Sequence, residues 1–348
     1  MNVLFIGDPH FQTNNIPDVE LFLTSITSIA SNRVPDIIVI AGDILHTHER
    51  IHTIALNKAY ELVDAMRAIA PTYILVGNHD YTSNSQYLTD SHWMNGMKKW
   101  DNVYIIDRVL HEKLNGIDFV FVPYVFPGRF KEALGTSAFD WSGAGCIFAH
   151  QEFKGCKMGA IVSEIGDVWD LTSPTVVSGH IHSKQYPQPN IYYPGTPMQH
   201  AFGEASGNTV SYITFKSNSV FSINDVCLNL PTKKIMYMDV AGLEKYEPPT
   251  GPDKIRLTIN GNYEEFKALK KTTKYKDIMA MGVKIVFKPD SLDPVIDADE
   301  TISARPDGFE FEKILNDLIN GKKDPYLVQA YDKIVLSRET DINDIFFV

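Results

Sequence analysis

Five short clusters of metal-ligand residue types punctuate the first 182 positions of this 348-residue chain. Asp8-Pro9-His10 comes first, Gly42-Asp43 second and Gly77-Asn78-His79-Asp80 third; His150 and Gly179-His180-Ile181-His182 complete the series. Carboxylates, imidazoles and an amide carbonyl oxygen together suit borderline divalent ions such as Mn²⁺, Fe²⁺ or Zn²⁺, and suit Mg²⁺ or Ca²⁺ less well. Taken singly, each cluster is uninformative, since a lone histidine is more often a satisfied polar residue than a ligand. All five in this order, each closing an apolar run, are not a chance pattern.

The elements that must position these clusters are legible as apolar strands. Val3–Ile6, Ile37–Ala41 and Tyr73–Val76 read as strands, with helical spacing over Val19–Ser31 and Thr53–Ala68 between them. That β-α-β-α-β order predicts a parallel core with active residues where strands end. Further strands are expected near Val103–Ile106, Phe119–Val122, Cys146–Ala149 and Thr175–Ser178, and residues 191–229 read as a β-meander. The expected fold class is α/β, with two packed sheets in a sandwich flanked by helices. Glycines at 42, 77 and 179 are expected to let the chain turn sharply so that the ligands converge.

This domain is expected to span 1–230, with a boundary near Pro231. A small β-α-β cap follows over 231–290, built from a strand at Lys254–Ile259, a helix at Tyr263–Met281 and a strand at Val283–Phe287. An Asp- and Pro-bearing linker is expected over 291–307, then a tail over 308–348 with two amphipathic helical segments, Phe309–Leu318 and Tyr326–Leu336. The N-terminus lacks a basic stretch, and its apolar run is broken by Asp8, so it does not read as a signal peptide. No run approaches the roughly 18 apolar residues of a membrane helix. Cys146, Cys156 and Cys227 show no C-x-x-C spacing and read as reduced thiols of a cytoplasmic protein, in the host cytoplasm if the source is viral. The formal charge of −11 argues against tight, independent binding to a polyanion.

The five-part series resembles the signature of the calcineurin-like metallophosphoesterases, over residues 1 to about 205. The resemblance implies two divalent metals. Asp8, His10 and His182 would hold one; Asn78, His150 and His180 would hold the other; Asp43 would bridge them. It also implies that His79 donates a proton to the leaving oxygen, and adjacency suggests that Asp80 orients His79. Within the fold, His46 stands three residues after the bridging aspartate. This looks like the SbcD-type and meiotic-recombination nucleases, where that histidine positions the DNA phosphate. Tyr192-Tyr193-Pro194-Gly195-Thr196-Pro197 and Ala201-Phe202-Gly203-Glu204 resemble the SbcD segment after its last metal motif. The layout is also that family's, and the short length and the Gly179–Gly195 spacing look most like the phage recombination nuclease subunits.

The function so implied is a Mn²⁺-dependent DNA exonuclease and endonuclease of recombination, repair or replication. Its implied partners are DNA, an SbcC-type coiled-coil ABC ATPase gripped by the tail, and a second copy docking through Ile54–Met66 and Tyr87–Met97; no membrane is involved. Lys267, Lys270, Lys271, Lys274 and Lys276 lie on one expected helix and could share a DNA-facing side, though a solvated lysine-rich helix is as good a reading. His48, His52 and His200 read as surface or helix-start residues. Two other functions compete: a phosphodiesterase for nucleotides or small molecules on the same metals, and a non-catalytic DNA-end scaffold. His46, the cap and the tail count against the first, and the intact ligands and His79 count against the second.

Overall fold

The computed structural model describes residues 1–48, 50–289 and 318–319. Fourteen strands form two six-stranded sheets and one two-stranded ribbon. In chain order, β1 (Asn2–Ile6), β2 (Ile37–Ile40), β3 (Thr72–Leu75) and β4 (Val103–Ile106) pair in parallel in the first sheet, with α1 (Ile16–Arg33) and α2 (Thr53–Arg67) as crossovers. The second sheet is built on β5 (Leu110–Leu114), β6 (Ile117–Val122) and β7 (Cys146–His150). The ribbon β8 (Lys157–Met158) and β9 (Ile161–Val162) interrupts it, and β10 (Val176–Gly179), β11 (Gln185–Gln188) and β12 (Ile191–Tyr193) complete it. The hairpin of β13 (Thr209–Ser217) and β14 (Val220–Cys227) then returns to the first sheet, antiparallel to β1.

Strand alternation explains why the sheets stack, because successive side chains point to opposite faces. Val3, Phe5, Val39, Tyr73 and Leu75 meet Phe119, Phe121, Phe148 and Val177 between the sheets. Leu4, Ile6, Ile38, Ile40 and Ile74 face the other way, onto Phe22, Ile26, Leu62 and Val63 of the two helices. Across the second sheet, Val120, Ile147 and Val176 pack on Phe130, Phe153 and Trp169. The sandwich flanked by helices is therefore as the sequence predicts. The expected meander over 191–229 is not: β12 lies in the second sheet, whereas β13 and β14 extend the first. Alternation marks strands but carries no information about which sheet they join.

A third sheet begins at Lys233. Its parallel strands are β15 (Lys233–Asp239), β16 (Lys254–Gly261) and β17 (Lys284–Pro289), with β16 in the centre. The expected single helix over Tyr263–Met281 is two short ones, Tyr263–Leu269 and Thr273–Ala280. Thr272 restarts the helix, its hydroxyl accepting from the Tyr275 N–H at 3.2 Å. The five cap lysines therefore do not share one helix. Lys274 pairs with Glu247 at 2.7 Å, while Lys270, Lys271 and Lys276 form no salt bridge among the described residues. Of the segments expected to dimerise, Ile54–Met66 lies within α2, but Tyr87–Met97 is helical only from Trp93, in a 3₁₀ helix spanning Trp93–Lys99. The linker and all of the tail except Leu318 and Ile319 lie outside the described residues.

Candidate metal centre

Five strands deliver the clusters to one place. Asp8 follows β1, Asp43 follows β2, Asn78 follows β3, His150 ends β7 and His180 follows β10. All five strands run parallel to a neighbour within their sheets, so their carboxyl ends share an edge of the sandwich. Three ligand residues adopt the left-handed backbone region: His10 (φ 47°), Asp43 (φ 48°) and His180 (φ 80°). Each such non-glycine conformation costs about 1–3 kcal/mol and survives only where the surroundings enforce it. Of the flanking glycines, Gly42 (φ 102°) does make the turn that was expected. Gly77 and Gly179 act differently. A Cβ on Gly77 would strike the Asp43 side chain, and one on Gly179 would strike Asp8 Oδ1 and come 2.8 Å from Ala41 Cβ. These two glycines admit a carboxylate rather than a turn.

The side chains form two adjoining groups. His10 Nε2 and His182 Nε2 face each other at 3.0 Å beside Asp8. His150 Nε2 and His180 Nδ1 both reach Asn78 Oδ1, at 3.0 and 2.9 Å. Asp43 Oδ2 lies between the groups, 3.6 Å from His10 Nε2 and 3.4 Å from His150 Nε2. His150 Nδ1 donates to the Ala41 carbonyl at 2.7 Å, which fixes the ring and turns Nε2 toward Asn78 and Asp43. His150 is completely buried, as are Asp8, His10 and Asp43 to within 2%. The fold thus brings the two expected sets together, with Asp43 between them.

Three further residues expected at the site stand beside these two groups, and His46 and His79 form with His10 a third set of ring nitrogens within 4.8 Å of one another. His79 Nδ1 donates to the His46 carbonyl at 2.6 Å, leaving its Nε2 free to carry a proton. His46 Nδ1 lies 3.4 Å from His10 Nδ1, and its ring is parallel to that of His79. Asp80 departs from expectation. Its Oδ2 accepts from the backbone N–H of Asp43 at 2.7 Å and of Gly77 at 3.0 Å, and its Oδ1 accepts from Trp93 Nε1 at 2.9 Å. Asp80 therefore clamps the bridging loop, and the His46 carbonyl is what orients His79. Adjacency in sequence is a poor guide here because the Asp80 oxygens go to Asp43, Gly77 and Trp93, whereas the His79 ring meets His46 and His48.

Four further residues were not singled out for the site. His200 packs edge-on to His10 and His182, with Nε2 3.2 Å from the Asp8 carbonyl. Glu204 Oε1 lies 3.8 Å from His182 Nδ1, while its Oε2 accepts from the backbone N–H of His200 and Ala201. Glu152 Oε2 is 3.8 Å from His180 Nε2. These two carboxylates sit where partners that orient metal-binding histidines are found. His48 lies parallel to the His79 ring. His52 does start α2, accepting from the Ile54 N–H. The only advance signal was the Ala201–Glu204 segment, which carried a resemblance but no role.

The electrostatics favour cations. Burial alone would raise the Asp43 carboxyl, but His150, His10 and His79 hold it well below its usual range. Burial raises Asp8 despite the nearby histidines, and Asp8 Oδ1 has no hydrogen-bond partner. A buried carboxylate oxygen without a partner is costly unless a cation meets it. Burial pushes Asp80 up to about 7, with the Asp43 charge adding to the shift. Burial lowers His10, His46 and His79, while the Asp43 charge opposes the shift at each. Two buried carboxylates and four facing imidazoles therefore fit a pair of divalent ions, and ring and carboxylate atoms of Asp8, His10 and His182, and of Asp43, His150 and His180, lie within 4.8 Å of one another in each group.

No helix among the described residues is long and apolar enough to cross a membrane. The family model for calcineurin-like phosphoesterases matches residues 1–184. The chain is 45% identical over 294 residues to the phosphoesterase-like protein 078R of Invertebrate iridescent virus 3, covering 83% of this chain and 84% of that one. It is 46% identical over 275 residues to the phosphoesterase-like protein 244L of Invertebrate iridescent virus 6, covering 77% and 97% respectively. Among solved structures, the chain is similar to the Plasmodium protein GAP50, at 12% identity and a TM-score of 0.41 over 66% of this chain and 85% of that one. With the strand-end ligands, the buried carboxylates and the matched region in agreement, the chain belongs to the calcineurin-like phosphoesterases, which use divalent metal ions.

Proposed function

We propose that this phosphoesterase is a Mn²⁺-dependent DNA nuclease, acting as exonuclease and endonuclease on phosphodiester bonds. The observation that carries the reading is the pair of non-ligand histidines. His79 keeps its Nε2 clear of the hydrogen bond that Nδ1 makes to the His46 carbonyl, and His46 lies against His10. A sugar alkoxide is a poor leaving group and needs a proton as the bond to phosphorus breaks, which His79 can supply. His46 is placed to hold a phosphate oxygen at the edge of the cluster.

Asp8, His10 and His182 would hold one cation, Asn78, His150 and His180 the second, and Asp43 both. When bound, such a pair polarises phosphoryl oxygens and lowers the pKa of water. The mixed nitrogen and oxygen donors favour Mn²⁺ over Mg²⁺ or Ca²⁺. The Ala41 carbonyl holds the His150 ring, and Glu204, 3.8 Å from His182 Nδ1, is near enough to pair with that ring.

The charge of −11 implies help with the polyanion. We assign that help to an ATPase of SbcC type bound through the tail, with a second copy of the chain docking through α2 and residues 87–97. Lys270, Lys271 and Lys276 of the cap are exposed and form no salt bridge among the described residues, which leaves them available to touch backbone phosphate. Host cytoplasm is the compartment that this reading requires.

Purified protein with Mn²⁺, offered labelled duplex DNA, bis-p-nitrophenyl phosphate and p-nitrophenyl phosphate in parallel, tests the proposal. DNA and the diester should be cut and the monoester spared. Cleavage of the small diester without DNA would favour a nucleotide phosphodiesterase, and inactivity on all three would favour a DNA-end scaffold.

A further inference from the structure

We propose that His48 is a positioning residue for His79, holding the imidazole that protonates the leaving oxygen. His48 belongs to none of the metal-ligand clusters. Its ring lies parallel to that of His79, with centroids 4.7 Å apart and planes inclined by 12°. His46 also lies parallel to His79, at 5.4 Å and 12°. Three imidazoles from two loops thus run face to face, with His79 in contact with both others.

The geometry says what each neighbour contributes. The hydrogen bond from His79 Nδ1 to the His46 carbonyl pins one atom of the ring, 2.6 Å away. A ring pinned at one atom can still tilt about that contact, carrying Nε2 on an arc. Parallel stacking removes the tilt, because offset aromatic rings lose contact as their planes diverge. His48 is itself part-buried, and its Nδ1 lies 3.4 Å from the Tyr81 carbonyl, on the strand-end turn that carries His79. The two loops are therefore cross-linked twice, His46 carbonyl to His79 and His48 ring to Tyr81 carbonyl. A proton donor must lie within hydrogen-bond reach of the oxygen it serves, so small misplacement is expensive: about 1 Å can cost roughly 10²-fold in rate.

This inference rests on the reading of His79 as general acid, so both are tested in one experiment. Wild type, His79→Asn, His48→Ala and His48→Phe, each loaded with Mn²⁺ and checked for metal content, are assayed on methyl aryl phosphodiesters. Their leaving phenols range from strongly to weakly acidic. An acidic phenol departs unaided, whereas a weakly acidic one needs the proton. His79→Asn and His48→Ala should both lose kcat on weakly acidic leaving groups, with KM and the most acidic leaving group little changed. The loss in His48→Ala should be about tenfold to 10²-fold. His48→Phe keeps a flat ring without a titratable proton and should restore most of the rate.

Equal losses by His79→Asn across the whole series would overturn the general-acid reading, and the inference with it. A leaving-group-dependent loss in His79→Asn but none in His48→Ala would overturn the inference alone. So would a His48→Phe variant as impaired as His48→Ala with both metals in place, because His48 would then act through its own nitrogens.

Discussion

Replacing Asp80 separates two accounts of the turn that carries His79. If Asp80 oriented His79, Asp80→Ala would lower turnover and leave the metals in place. The structure instead directs both Asp80 oxygens to three donors: the Asp43 N–H, the Gly77 N–H and Trp93 Nε1. Hydrogen bonds of this kind contribute about 0.5–1.5 kcal/mol each, and leaving a buried donor unmet costs about 1–3 kcal/mol. Asp80 is 98% buried, being only 2% exposed, so little water can substitute. Allowing for partial relaxation, Asp80→Ala should destabilise the fold by about 3–6 kcal/mol, a large part of a typical margin of about 5–15 kcal/mol. Freed of its clamp, Asp43 should no longer serve both ion sites. Asp80→Asn should be much milder, because one amide oxygen can still accept from both backbone N–H groups, and only the Trp93 contact is lost. Urea unfolding and metal counting by mass spectrometry, run on both variants, decide the matter. An Asp80→Ala protein with wild-type stability and full metal content, slow only in turnover, would refute the clamp.

Other residues give narrower outcomes. Gly179→Ala should drive a methyl group into Asp8 and His150, lowering stability by about 1–3 kcal/mol and weakening the ion held by Asp8; an unchanged melting temperature and metal count would contradict it. Glu204 is held down to about 2 against an ordinary 4.5: burial opposes this, and His182 with two backbone N–H groups more than compensates. A depressed carboxylate stabilises the fold above its unfolded pKa and loses that contribution as pH falls. Glu204→Gln should therefore be less stable at pH 7 by about 1–2 kcal/mol, discounted for partial exposure, with the gap closing between pH 4.5 and 2. His46→Ser should impair exonuclease more than endonuclease action, and equal losses would make His46 a general structural residue.

The residues of the two candidate ligand sets were legible because they lie after runs such as Leu4-Phe5-Ile6 or Val176-Val177, where strand ends and polar residues mark themselves locally. What surrounds the ligands was not, because it is assembled from distant segments. His200 and Glu204 meet His10 and His182 through a loop folded back from β12, and nothing near residue 200 signals that path. His48 looked like a surface residue because its partner, His79, lies across a separate loop. In the cap, the pattern over Tyr263–Met281 is helical throughout, and only the threonine at 272 marks the break as an N-cap. The strand Lys233–Asp239 was overlooked because its alternation begins directly after a proline-marked boundary. Local chemistry identified the donors, and long-range packing determined what holds them.

Anomalous diffraction from manganese-soaked crystals of wild type, Asp43→Ala and His10→Ala tests the two-ion centre most directly. Wild type should show two peaks about 3.5–4 Å apart, one beside Asp8, His10 and His182, the other beside Asn78, His150 and His180, with Asp43 touching both. His10→Ala should lose chiefly the first peak, and Asp43→Ala should weaken both. A single wild-type peak, or two fully occupied peaks in Asp43→Ala, would contradict the shared-carboxylate centre.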